Sequence, residues 1–331
     1  MTKTWRGAAL AAAVPLLAVG AADPVPAQEA LGEGMTIYMQ MGGNPGGGAT
    51  LPRTNGAKAA AAAFGVELIE QYSGWLPEQM LNHFREALAA DPDCIVIMGH
   101  PGSGAFADLV AEAAERDIVV TSGNAPLTEL LERYQATGFG YAGVDLYAGG
   151  WLTGKEMVEA GLQSGDKALV YGLLAEAQRG LSTRGLKEAL EDAGLQVDYL
   201  EISPEVNTDS SLAVPILTSY LASNPDTKAI GTQHGNVTSF IPKALEEAGK
   251  KPGDVIVGGI DLVPATIDGL QEGWTTVVLD QQLYLQGFLP VTQCVLSKKY
   301  GFTGLDINTG SGVVTPETID DLVPLIEAGI R

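Results

Sequence analysis

Short apolar runs alternate with longer amphipathic or alanine-rich stretches from Met35 almost to the end of the chain. Met35–Met41 precedes Gly56–Phe64, Glu67–Gln71 precedes Glu78–Ala90, and Cys94–Met98 precedes Ala105–Glu115. The pattern continues with Ile118–Thr121, with Gly140–Val144 before Tyr147–Ala160, with Lys167–Gly172 before Arg184–Ala193, and with Gln196–Ile202 before Leu212–Ser223. Ala229–Thr232, Ile256–Gly259 and Thr276–Leu279 complete the strands, with helices opening near Thr238, Pro264 and Leu283. A short strand that is apolar throughout is buried on both faces, and a helix between two such strands supplies the crossover that parallel pairing needs. The chain therefore reads as α/β, with parallel sheets covered by helices. About ten strands exceed a comfortable single open sheet. Two doubly wound lobes joined by a multi-strand hinge are expected, with a ligand in the cleft between them, and 331 residues suffice for two cores.

Residues 1–27 read as an export signal: Lys3 and Arg6 precede the apolar run Ala8–Ala22, and Val25 and Ala27 suit cleavage before Gln28. That run is short and alanine-rich for a membrane span, and no other stretch approaches the ~20 apolar residues a bilayer requires. No Cys near the cleavage point offers a lipid anchor, so free diffusion in a periplasm is expected, without membrane insertion. A formal charge of −21 repels nucleic acid and anionic lipid, and no helix-turn-helix precedes Met35. Cys94 and Cys294 read as two free buried thiols, with a bridge in an oxidising compartment left open, and with only three His in the chain they give no zinc pattern.

In open parallel sheets, ligands gather outside the carboxyl ends of the strands. The glycine-rich run MGGNPGGGAT, Met41–Thr50, occupies such a place. It lacks the Gly-Lys-Ser/Thr of a phosphate-cradling loop, since Arg53, Thr54 and Asn55 come later in another arrangement, and Glu70 is a weak match to a dinucleotide fingerprint. Gly43 and Asn44 are therefore candidates to line a ligand. Asn124, Asp145, His234 and Asp261 also follow apolar runs, as does His100, whereas His83 reads as a surface residue. Asp145 and Asp261 leave a glycosidase-like carboxylate pair open, although Asp at a strand end more often caps a helix. Arg179, ahead of an amphipathic stretch, offers fixed donors for hydroxyls, with Arg184 as its structural neighbour. No catalytic residue, metal or cofactor is expected.

The order of these elements resembles the periplasmic sugar-binding proteins of the ribose-binding type, the receptors of ABC importers, from about Met35 to Thr309. Gly56–Ala61 resembles the start of the helix after their first ligand loop, and IVVTSGN, Ile118–Asn124, a strand ending in a ligand-contacting residue, a role that passes to Asn124. AGVDLYAGG, Ala142–Gly150, looks like the first crossing between lobes, with Asp145 at the cleft edge. AIGTQHGNVTSFIPKALEEAG, Ala229–Gly249, places His234 where the family usually offers Asn. VGGIDLVPATID, Val257–Asp268, is similar to the strand whose Asp, here Asp261, accepts from ligand hydroxyls, and TTVVLDQQLYLQG, Thr275–Gly287, to the second crossing, whose Gln donor is Gln281. The resemblance implies a type I periplasmic-binding fold with one lobe from 35–141 plus 282–308 and the other from 142–281 plus 309–331. It implies a monomer without enzymatic activity that closes on a small neutral sugar or polyol and delivers it to a membrane permease. The first loop lacks the paired aromatics that stack on sugar rings, which favours a pentose or polyol; Trp75, Tyr38 and Phe240 are the candidates for one face. His234 in place of an amide is expected to weaken binding at acidic pH. An exported α/β enzyme acting on a sugar, or a sugar-sensing receptor for a signalling partner, are the alternatives.

Overall fold

The computed structural model describes residues 29–176 and 178–331, so the expected export signal, residues 1–27, lies outside them. The first lobe is built from β1 (Thr36–Gly42), α1 (Leu51–Phe64), β2 (Glu67–Tyr72), α2 (Pro77–Ala90), β3 (Cys94–Met98), α3 (Ser103–Glu115), β4 (Val119–Asn124), α4 (Thr128–Tyr134) and β5 (Gly140–Gly143). The second opens with α5 (Leu146–Glu159), β6 (Lys167–Gly172), α6 (Arg179–Asp192), β7 (Gln196–Glu201), α7 (Pro204–Thr208) and α8 (Ala213–Ser223). It continues through β8 (Thr227–Gly231), α9 (Gly235–Thr238), α10 (Ile241–Glu247), β9 (Ile256–Ile260), α11 (Pro264–Gln271) and β10 (Val277–Asp280). Then α12 (Leu283–Tyr300) and β11 (Asp306–Asn308) return to the first lobe, and β12 (Gly312–Val314) and α13 (Val323–Glu327) to the second.

The sheets have matching orders, β11-β5-β4-β3-β1-β2 and β12-β10-β9-β8-β6-β7. Every pairing is parallel except that of β12, which runs antiparallel to β10. The departure from all-parallel sheets has a simple cause: the chain enters β12 directly from β11 after a few residues, with no helix to turn it round. Strand β3 shows why the runs are continuously apolar. Ile95 and Ile97 face Met80, Phe84 and Phe106 of α2 and α3, while Cys94 and Val96 face Ala57, Ala60 and Val291 of α1 and α12. Both faces are thus dry, and each large side chain buried there contributes about 1.5–3 kcal/mol. His83 belongs to this interior rather than the surface: it is 7% exposed, and its Nε2 accepts from Gln79 Nε2 at 2.8 Å.

The chain passes between lobes three times, after β5, β10 and β11. These crossings are tied together: Thr309 donates its N–H to Gly143 O at 2.8 Å, Asp145 N–H to Asn308 Oδ1 at 3.1 Å, and Gln282 Nε2 to Thr309 O at 2.9 Å. Cys94 and Cys294 are joined as a disulfide rather than free, with Cα atoms 5.9 Å apart and both residues fully buried. The bond pins α12 to β3 and closes a loop with a sequence separation of 200 that contains the second lobe from α5 to β10. Replacing both by Cys94→Ala and Cys294→Ala is expected to lower the unfolding free energy by about 2–5 kcal/mol, read in urea titrations of the oxidised protein and the double variant. Unchanged stability would show that the bond does not staple the lobe.

Candidate ligand-binding site

The carboxyl ends of both sheets face one gap. On the first-lobe side, Gly42 adopts φ +90° and its carbonyl accepts from the N–H of Trp75. A Cβ on Gly42 or Gly43 would strike the Trp75 indole, so these two glycines let the ring lie on the backbone. His100 stacks on the indole, with centroids 5.4 Å apart and planes 18° off parallel. The Arg53 guanidinium lies 5.7 Å from the same ring centroid. Arg53 is reached because α1 begins at Leu51, earlier than the sequence pattern suggested, which puts it in the first turn and wholly inside. It donates to Met41 O at 2.9 Å and to Gln286 Oε1 at 3.2 Å.

Asn124 connects this half to the hinge. His100 Nε2–H donates to its Oδ1 at 2.6 Å, and its Nδ2 donates to Gln286 Oε1 at 3.1 Å and to Gln281 Oε1 at 3.5 Å. Gln281 Nε2 in turn donates to Asp261 Oδ1 at 2.6 Å. Asn124, Gln281 and Asp261 thus form one hydrogen-bonded chain from β4 across the second crossing to the end of β9. In the second lobe Arg179, which opens α6, donates to Asn207 Oδ1 at 3.2 Å and pairs with Glu176 at 3.4 Å. His234 caps α9: its Nδ1 accepts from Val237 N–H, which leaves Nε2–H to donate to the same Asn207 oxygen at 2.9 Å.

The remaining sequence candidates lie nearer the rim. Asn44 is exposed in the glycine-rich loop, beyond which a Cβ on Gly48 would meet Val263 of the second lobe. Asp145 is exposed at the first crossing, where its carboxylate caps α5 by accepting from Ala148 N–H at 3.0 Å, outside the Asn124–Asp261 chain. Tyr38, Phe240 and Trp75 all pack against the lobe cores, and Trp75 alone of the three also meets His100 and Arg53. Sequence reasoning did not single out Arg53, Asn207 or Gln286 as site residues. The only available signal for Arg53 was its position just after the first ligand loop.

Electrostatics follow from dryness. Burial, reinforced by the positive charge of Arg179, pulls both His100 and His234 down to about 3. Burial lowers Arg53 to about 10, against the attraction of Asp261, and raises the Asp261 carboxyl, against the Gln281 hydrogen bond and the two arginines. Both arginines stay charged and both imidazoles neutral near pH 7. Among the described residues no cluster of three or more His, Cys, Asp or Glu could hold a metal ion, and no helix is long and apolar enough to cross a membrane.

A family model described as the periplasmic binding protein domain matches residues 52–297. The chain belongs to the periplasmic binding protein family. A relative within it, the xylose/arabinose-binding protein XylF of Sulfolobus acidocaldarius, is 30% identical over 189 residues, 54% of this chain and 45% of that protein. The match therefore spans less than half of that relative's length. A carbohydrate transporter from Acidothermus cellulolyticus 11B, solved with myo-inositol, superimposes with TM-score 0.74 at 20% identity, covering 90% of this chain and 99% of the other. A periplasmic solute-binding protein of Actinobacillus succinogenes 130z with bound D-allose gives 0.76 at 21% identity, covering 87% and 99%. These likenesses show the type I periplasmic binding protein fold, with its two α/β lobes.

The burial of the imidazoles runs against the expectation that His234 weakens binding in mild acid. The unfolded chain protonates its histidines near pH 6.5, the folded cleft only near pH 3. Their neutral forms therefore stabilise the fold fully above pH 6.5, and that contribution is lost as pH falls from 6.5 towards 3. In an NMR titration from pH 8 to pH 5, the ring signals of His100 and His234 are expected to hold their positions. A transition centred near 6.5 in either would show a hydrated imidazole instead.

Proposed function

We propose that this protein is the exported, periplasmic solute-binding component of an ABC importer, and that it captures one small neutral sugar or polyol without transforming it. The charge balance of the cleft carries this reading. Arg179 has Glu176 as its ion-pair partner, Arg53 has Asp261 facing it across the gap, and both imidazoles are neutral. A charged ligand entering such a cleft would lose its hydration without gaining an unpaired counter-charge. Hydroxyl groups, each donor and acceptor at once, suit the amides of Asn124, Asn207, Gln281 and Gln286, the Asp261 carboxylate and the two imidazoles. The ligands in the names of the relatives, xylose or arabinose, myo-inositol and D-allose, are of this class.

Gly43 and Trp75, with Asn124, would bring the first lobe to the ligand, and Arg179, His234 and Asp261 the second, with Gln281 between them and Asn44 and Asp145 at the rim. A ligand bridging both groups stabilises the closed state over the open one, which is the difference a permease can read. The carboxylate of Asp145 is engaged in capping α5, which supports binding rather than a glycosidase-like pair with Asp261.

A thermal-shift screen of the protein lacking residues 1–27 against D-xylose, D- and L-arabinose, D-allose, myo-inositol and ribitol tests this directly. A raised melting temperature with one or a few of them, and recovery of the sugar unchanged, is the expected result. No shift with any neutral polyol, or recovery of a converted product, would overturn the reading. Asp261→Asn keeps a side chain tolerant of the left-handed backbone at φ +71° and is expected to weaken the bound sugar by at least about tenfold without lowering the unliganded melting temperature. Equal affinity in the folded variant would remove Asp261 from the site.

A further inference from the structure

The two lobes contain an internal repeat. In the first, α1 crosses α12 with glycine on each side: a Cβ on Gly56 would strike the Tyr284 carbonyl, and one on Gly287 the Arg53 carbonyl. In the second, α6 crosses α5 in the same way, Gly185 against the Tyr147 carbonyl and Gly150 against that of Ser182. The sequences align accordingly. Arg53-Thr54-Asn55-Gly56-Ala57-Lys58 matches Ser182-Thr183-Arg184-Gly185-Leu186-Lys187, and Leu283-Tyr284-Leu285-Gln286-Gly287 matches Leu146-Tyr147-Ala148-Gly149-Gly150. Even the surface aromatics repeat, Tyr284 stacking with Phe288 as Tyr147 does with Trp151.

The same helix crossing is therefore built twice, once with Arg53 and Gln286 and once with Ser182 and Gly149 at the corresponding places. The crossing as such needs neither the guanidinium nor the amide. Arg53 is nevertheless fully buried, and its Nε–H has no acceptor among the described residues. Of the five N–H donors of a guanidinium, the protein engages only those on Nη1 and Nη2 that reach Met41 O and Gln286 Oε1. A buried cation with unused donors is costly in an empty protein. It becomes favourable when an oxygen of a bound molecule accepts from it. Gln286 shares its Oε1 between Arg53 and Asn124, which links that guanidinium to the chain running to Asp261.

Resting on the reading of the cleft as a sugar or polyol site, we propose that Arg53, oriented by Gln286, is the principal ligand anchor of the first lobe, donating to a hydroxyl or ring oxygen. Trp75, with its ring against Gly42, Gly43, His100 and Arg53, acts as the wedge that positions these groups.

Arg53→Met tests the assignment, because it fills similar space without charge or donors. Its unliganded melting temperature is expected within about 3 °C of the wild type or above it. Its affinity for whichever of myo-inositol, D-arabinose or D-allose binds the wild type is expected to fall by at least about tenfold. Arg53→Lys keeps the charge but not the planar fork and is expected to lose affinity likewise. Wild-type affinity in either variant would overturn the proposal. So would a fall of more than about 3 °C, or failure to fold, in Arg53→Met, since Arg53 would then be a structural residue. If no probe shifts the wild type, the sugar reading fails by itself, and the melting temperature of unliganded Arg53→Met still decides: within about 3 °C or raised supports an anchor, a larger fall overturns it.

Discussion

Gln281 donates to Asp261 of the second lobe and accepts from Asn124 of the first, and the cleft is organised around that link. Both end residues occupy left-handed backbone, Asn124 at φ +68° and Asp261 at φ +71°. Such conformations cost a residue other than glycine about 1–3 kcal/mol and persist where the surroundings fix them. Asn and Asp tolerate them best. The two positions are equivalent, since Asn124 closes β4 and Asp261 follows β9, and these strands hold the same place in the matching sheet orders, β4 beside β5 and β9 beside β10. The strain thus falls at the same point of each lobe, where the chain must turn a polar side chain inward over the sheet edge. The three crossings are knitted to one another by backbone and amide hydrogen bonds, and the two lobes also meet where Asn55 Nδ2 donates to Gly329 O at 3.0 Å.

Much of this architecture was legible in the sequence because doubly buried strands leave a strong trace. Cys94–Met98 could be read as a central strand since no residue in it faces water. The short edge strands β11 and β12 leave no such trace: at three residues each they are too short to display a period and are defined by what they pair with. Asn124 and Asp261 were legible as residues following apolar runs, and Gln281 through the resemblance of Thr275–Gly287 to the family's second crossing. Arg53 was not, because an arginine in a first helical turn ordinarily reads as a solvated charge, and its burial depends on Trp75 and on Gln286, 233 positions away. The Cys94–Cys294 bond was hidden for the same reason, as only the packing of α12 on β3 brings the two sulfurs together.

Two buried, neutral histidines in the cleft depart from the usual use of imidazole as a switch. The hydrogen bonds resolve this. At His234 the Val237 N–H claims Nδ1, so the ring is fixed as one acceptor and one donor, the same inventory an amide offers but with the donor aimed rigidly at Asn207. At His100 the flat ring also fills the face of Trp75, which an amide would cover poorly. Arg179 supplies the third element, because a cation beside both rings makes a second positive charge there unfavourable. The imidazoles are thus shaped, neutral hydrogen-bonding groups, kept so first by burial and then by the charge of Arg179.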